Sequence, residues 1–104
     1  MKAMAQLLVL YNAPTDPAAF QRYYFETHTP LAKKIPRLRS LTISDGPIQA
    51  LAGEAPYLIA SLTFDSMEDL QAALTSPEGK ATAGDLSNFA SGGVTLLMYN
   101  SKTV

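Results

Sequence analysis

Residues 5–12, Ala5-Gln6-Leu7-Leu8-Val9-Leu10-Tyr11-Asn12, form an apolar run of strand length that stops at Ala13-Pro14. Leucine or valine stands at both odd and even positions, so both faces of this strand are partly apolar. Such a strand belongs in the middle of a sheet, with cover on each side. The remaining strands must flank it. Residues 57–65 alternate strictly, with Leu58, Ala60, Leu62 and Phe64 on one face and Tyr57, Ile59, Ser61 and Thr63 on the other. Residues 37–45 place Arg39, Leu41 and Ile43 opposite Ser40, Thr42 and Ser44 before the turn Asp45-Gly46-Pro47. Val94 to Tyr99, after the Gly92-Gly93 turn, reads as the last strand.

Between the strands the period changes to that of a helix. Asp16 followed by Pro17 is an N-cap with proline at the first helical position, and Phe20, Tyr24, Thr27, Leu31 and Ile35 then recur at helical spacing. Pro30 interrupts this stripe. It has no amide hydrogen and its ring clashes with the carbonyl of Glu26, which costs a continuous helix about 3 kcal/mol, so a kink or a restart with Thr29 as N-cap is expected. Lys33 and Lys34 suit the last turn, and Pro36 ends the element near Ile35. Ser66 with Asp69 three residues on caps a helix whose apolar stripe is Met67, Leu70, Ala73 and Leu74. Ser76-Pro77-Glu78 opens a short helix through Asp85 toward Phe89.

The resulting order, βαββαβ, is the split βαβ or ferredoxin-like arrangement of the α+β class, an antiparallel sheet with helices on one face. The other face is too apolar around Tyr57, Ile59 and Ser61 to be left in water. A second subunit's sheet is expected to cover it, giving a homodimer and a closed barrel.

Composition agrees with a small folded unit. Residues 1–104 have the length of one domain, and 16% charged against 47% hydrophobic residues excludes disorder. The formal charge of −1 provides no basic field for a phosphate backbone, so no nucleic-acid partner is expected. There is no cysteine, which removes disulfides, thiolate metal sites and a cysteine nucleophile, and fits a reducing cytoplasm. The start, Met1-Lys2-Ala3-Met4, leads into an apolar run too short to span a membrane and without a leader cleavage site, so no membrane partner is expected either.

The segment Phe20-Gln21-Arg22-Tyr23-Tyr24-Phe25-Glu26-Thr27-His28-Thr29-Pro30-Leu31, followed by Ile35-Pro36-Arg37-Leu38, resembles the helix signature of EthD-domain proteins, named for ethyl tert-butyl ether degradation. A second block, Asp65 to Leu74, Ser76 to Ala81 and Asp85 to Phe89, resembles the second-helix region of that family in the same order. The resemblance covers almost the whole chain. It implies a dimeric α+β barrel, an architecture also used by muconolactone isomerases, small polyketide cyclases, and cofactor-independent and haem-degrading monooxygenases. It does not imply a particular reaction, because fold does not specify chemistry.

His28, the only histidine, lies beside the apolar helical stripe at the Pro30 break. Its imidazole titrates near neutrality, so it can act as a general acid and base in a cavity between helix and sheet, or it can hydrogen-bond the disrupted backbone and fix the kink. Tyr24, one turn earlier on the stripe, is its nearest partner, while Tyr11 and Tyr99 end strands and can line a pocket mouth or simply pack there. Glu26 points to a different side of a regular helix from His28. Asp85 is a possible partner from the second helical region, or else a cap or a surface charge. No metal-ligand spacing surrounds the histidine, nothing argues for haem, and Gly92-Gly93 precedes a strand where a dinucleotide loop would open a helix, so no metal or cofactor is expected. Taken with what the resemblance implies, these residues lead to an expectation of cofactor-independent proton transfer, of isomerase, cyclase or oxygenase type, on a hydrophobic aromatic, lactone or polyketide-like compound. In that reading His28 and Tyr24 are catalytic, and Tyr11 and Tyr99 bind the ligand. The alternative is a non-catalytic accessory protein that holds a hydrophobic metabolite for a redox degradation system such as ether degradation.

Overall fold

The computed structural model describes residues 4–104. Met1, Lys2 and Ala3, read above as the lead into the first strand, lie outside them. The chain runs β1 (Met4–Tyr11), α1 (Pro17–Tyr23), a π-helical turn (Tyr24–His28), α2 (Thr29–Ala32), β2 (Ser40–Ile43), β3 (Leu58–Phe64), α3 (Met67–Thr75), α4 (Pro77–Asp85), a 3₁₀ turn (Leu86–Asn88) and β4 (Val94–Ser101). The strands form one antiparallel sheet in the order β2-β3-β1-β4, and the helices pack on one of its faces. This is the α+β, ferredoxin-like arrangement expected from the element order.

β1 lies between β3 and β4, as its two apolar faces require. Its odd residues, Ala5, Leu7, Val9 and Tyr11, are buried under the helices beside Leu58, Ala60, Leu62 and Phe64 of β3. Its even residues face the other way with Ile59, Ser61 and Thr63 of β3 and with Leu97 and Tyr99 of β4. On this open face Gln6 Oε1 accepts hydrogen bonds from Ser61 Oγ (3.1 Å) and Thr63 Oγ1 (2.8 Å). Leu8 and Leu10 continue the face toward Ile59 and Leu97, and no helix among the described residues covers them. Tyr57 does not join Ile59 and Ser61 there. It precedes the strand, so the alternation does not apply, and its ring meets Phe20 on the helix side.

Three predicted caps form. Asp16 Oδ1 accepts from the Ala19 amide at 3.2 Å, Ser66 Oγ from Asp69 at 3.1 Å and Ser76 Oγ from Gly79 at 3.0 Å. At the α3–α4 corner a Cβ on Gly79 would lie 2.0 Å from the Ala73 carbonyl oxygen, so only glycine permits that approach.

The break at Pro30 takes a different form from the one expected. Thr29 is helical, at φ −59° and ψ −44°, so it is not a cap, and its Oγ1 is buried without a hydrogen-bond partner. Instead the Thr29 amide reaches back five residues to the Tyr24 carbonyl, and the preceding turn widens into a π-helix. The helix absorbs the missing proline donor by widening and continues as α2. β2 is shorter than the 37–45 expected. Arg37, at φ +67°, turns the chain after Pro36, although single bonds from Arg39 N to Thr63 O and from Ser44 N to Ile59 O, both 2.8 Å, extend the pairing. β4 runs two residues past Tyr99, to Ser101.

Candidate functional site

The π-helical turn directs Tyr24 and His28 down onto the sheet, where both are buried, at 2% and 5% exposure. Beneath them is a cavity of about 270 Å³ between the helices and the sheet. Leu7, Val9, Ala60 and Leu62 form its floor, and Leu96 and Met98 of the edge strand stand at its side. Every wall residue other than His28 is aliphatic, a tyrosine, a glycine, a threonine or a methionine. The cavity therefore suits an uncharged molecule, because no charged side chain lines it to offset the desolvation of an ion.

Of the four residues singled out in the sequence, the structure brings three together. His28, Tyr24 and Tyr11 all line the cavity. The Tyr24 ring lies 5.6 Å from the imidazole and 5.7 Å from the Tyr11 ring. Tyr99 is not among them. It pairs with Gln6 across the β1–β4 ladder, which puts it on the open face of the sheet, because a strand's side chains alternate and Tyr99 is one residue out of step with Met98.

Asp85 is the residue the sequence reading underweighted. It is neither a cap nor a surface charge: it is 7% exposed, and its Oδ2 lies 2.9 Å from His28 Nδ1. Its Oδ1 accepts from Tyr23 Oη at 2.5 Å and from Asn88 Nδ2 at 3.0 Å. One signal was present in the sequence. Asp85 falls in the last turn of its helix, where the macrodipole disfavours an acid, and so needs a donor elsewhere to hold it. Phe89, one residue beyond the 3₁₀ turn, packs its ring 4.6 Å from the imidazole and was likewise unassigned.

These contacts fix the protonation states. Burial alone would raise the Asp85 pKa, but hydrogen bonds from Tyr23, Asn88 and His28 outweigh it and hold the carboxyl below its ordinary value. Burial lowers the His28 pKa, and the hydrogen bond and charge of Asp85 only partly oppose that. The pair at neutral pH is therefore carboxylate and neutral imidazole. An ionised carboxylate only accepts, so Nδ1 carries the proton and Nε2 keeps its lone pair. Nε2 makes no hydrogen bond among the described residues. Burial pushes the Tyr24 hydroxyl up to about 12 and the Tyr11 hydroxyl higher still, so both remain neutral donors. The arrangement is an apolar chamber with one base of fixed tautomer and two phenolic donors.

No group of three or more His, Asp or Glu residues is placed to hold a metal among the described residues, and no helix is long and apolar enough to cross a membrane.

A ferredoxin-like sheet with this chamber under its helices defines a small protein of the α+β class. The chain belongs to the EthD domain family, whose model matches residues 12–93. An uncharacterised 11.0 kDa protein from the thcB-thcC intergenic region of Rhodococcus erythropolis is 41% identical over 103 residues, covering 97% of this chain and 98% of that protein. The crystal structure of an ethyl tert-butyl ether (EthD) family protein from Bacillus halodurans superposes with a TM-score of 0.83 at 36% identity, over 92% of this chain and 96% of that one. The hydroxynitrile lyase of Passiflora edulis shares the fold, with a TM-score of 0.74 at 12% identity over 99% of this chain and 96% of its own.

Proposed function

We propose that the protein is a homodimeric enzyme that moves a proton on an uncharged, oxygen-bearing organic molecule without a cofactor. The observation that carries this reading is His28 in the wall of an apolar chamber, held through Nδ1 by Asp85 and with no hydrogen bond on Nε2 among the described residues. In a carbonyl compound the Nε2 lone pair takes a proton from the carbon beside the carbonyl. The C–H electron pair moves onto the oxygen as an enolate, and Tyr24 or Tyr11 donates a hydrogen bond to that oxygen. Asp85 stabilises the imidazolium without itself taking a proton. The proton then returns to another carbon or to the oxygen, which completes an isomerisation; in a ring closure the enolate carbon instead bonds to a second carbonyl carbon of the same molecule, whose C=O electron pair moves onto its oxygen and takes the proton from the imidazolium. Aromatic ketones, lactones and polyketide-like compounds have the required acidity and apolar bulk.

The dimer is supported by the sheet face that carries Leu8, Leu10, Ile59 and Leu97, which a second copy's sheet pressed against it would cover.

The test uses aryl ketones and lactones in D₂O, with exchange at the carbon beside the carbonyl followed by NMR and binding followed by calorimetry. The wild-type protein is expected to exchange that hydrogen, and His28→Gln to bind the compound without exchange. Binding by the wild type with no exchange of any bound carbon acid would overturn catalysis and favour a ligand-holding accessory protein. Sedimentation equilibrium tests the dimer, and a monomer at micromolar concentration would refute it.

A further inference from the structure

Tyr23 and His28 are five residues apart. On a regular α-helix, at about 100° per residue, they would project roughly 140° apart and could not share a partner. The π-helical turn between them, with hydrogen bonds to the fifth residue, closes that angle. As a result a single carboxylate receives both: Asp85 Oδ1 holds the Tyr23 hydroxyl at 2.5 Å and Asp85 Oδ2 holds His28 Nδ1 at 2.9 Å. Asn88 fastens Oδ1 from the other side at 3.0 Å.

We infer that Tyr23 is a positioning residue which, through Asp85, controls how strongly the carboxylate holds the His28 imidazole and hence how readily Nε2 accepts a proton. Each donor on Oδ1 draws charge from the carboxylate and leaves less at Oδ2 to stabilise an imidazolium. Without Tyr23 and Asn88 the carboxylate would oppose the effect of burial more strongly and shift the imidazole toward its charged form. Pro30 belongs to the same device, because its missing amide is what the wide turn accommodates. The consequence for rate rests on His28 being the base, whereas the geometric claim does not.

The experiment is a ¹⁵N NMR titration of the His28 ring in the full chain. Tyr23→Phe keeps the ring stacked on Phe89, 5.4 Å away, and removes only the hydroxyl. The His28 titration midpoint is expected to rise in Tyr23→Phe and, by a smaller step, in Asn88→Ala, where the altered residue is exposed and the fold is not at risk. A midpoint that stays put or falls in Tyr23→Phe overturns the inference, and if that variant does not fold, Asn88→Ala decides by the same criterion. In the exchange assay the acid limb of the rate profile should move upward with the midpoint while KM stays unchanged. A wild-type protein that never exchanges a carbon acid, yet whose His28 midpoint rises in Tyr23→Phe, supports the positioning role while refuting the catalytic one, so the two fail separately.

Discussion

The helix-covered face and the open face of this sheet are made by alternate residues of the same strands. In β1 the residues Leu7, Val9 and Tyr11 look into the chamber while Gln6, Leu8 and Leu10 look out. On the covered face the polar groups are few and specialised: an imidazole, a buried carboxylate and phenols with raised pKa values. On the open face Gln6 accepts from Ser61 and Thr63, Tyr99 stands opposite Gln6, and Leu8, Leu10 and Leu97 continue the surface. Buried charge is tolerated only where it has several partners, and the Asp85 cluster supplies three. Among the described residues the open face has no titrating cluster, and its features are those of a contact surface.

Substitutions should separate the two faces. The largest effect is expected from Asp85→Asn, which leaves the cavity shape intact but presents an amide to Nδ1 and destabilises the needed tautomer. Proton exchange should fall on the order of 10³–10⁴-fold, about 4–5.5 kcal/mol in barrier, with dimer mass unchanged. Phe64→Ala follows. Phe64 is fully buried in the helix-side core, so its loss should lower unfolding free energy by about 3–5 kcal/mol in urea titrations. Leu97→Asp, on the open face, should leave protomer unfolding nearly unchanged but weaken the dimer by at least about 2 kcal/mol, read by sedimentation equilibrium.

Much of this division was legible in the chain. The alternation in 57–65 and the double-sided run at 5–12 gave β3 and β1 their places, and Asp16, Ser66 and Ser76 formed the caps their positions implied. What the chain did not reveal came from contacts that no local period encodes. The His28–Asp85 pair spans 57 residues, and Tyr23 joins it only through an i, i+5 relation absent from helical templates. Thr29 looked like a cap because a proline usually restarts a helix, whereas here the turn widened instead. Tyr99 looked like a pocket residue because it ends a strand, but its parity in the β1–β4 ladder puts it on the open face.

The pH response should also divide by face. The folded His28 pKa lies below 6.5 and that of Asp85 below 3.8, so at each step the unfolded chain binds more protons on the acid side. Stability is full above pH 6.5 and falls as the pH drops toward the folded value of His28. It falls again below pH 3.8 toward the folded value of Asp85. Urea midpoints measured from pH 8 down to pH 3 should show both steps, and His28→Gln should abolish the upper one. The strand residues of the open face include no acid, imidazole or amine. Dimer dissociation should therefore stay flat between pH 8 and pH 5, and a steep dependence there would place the interface on the other face.

Gln6→Leu gives the smallest of these effects and the finest discrimination. In an isolated protomer the Ser61 and Thr63 hydroxyls released by the change are half-buried and can turn to water, so unfolding of a Leu97→Asp protomer should change by less than about 0.5 kcal/mol. In a barrel where the partner's sheet seals the whole face, the same hydroxyls lose both Gln6 and water, and the dimer should weaken by about 1–3 kcal/mol. A dimer that tolerates Gln6→Leu as well as the protomer does would mean that only the leucine half of the face is in contact. The two sheets would then meet at an edge and leave the barrel open.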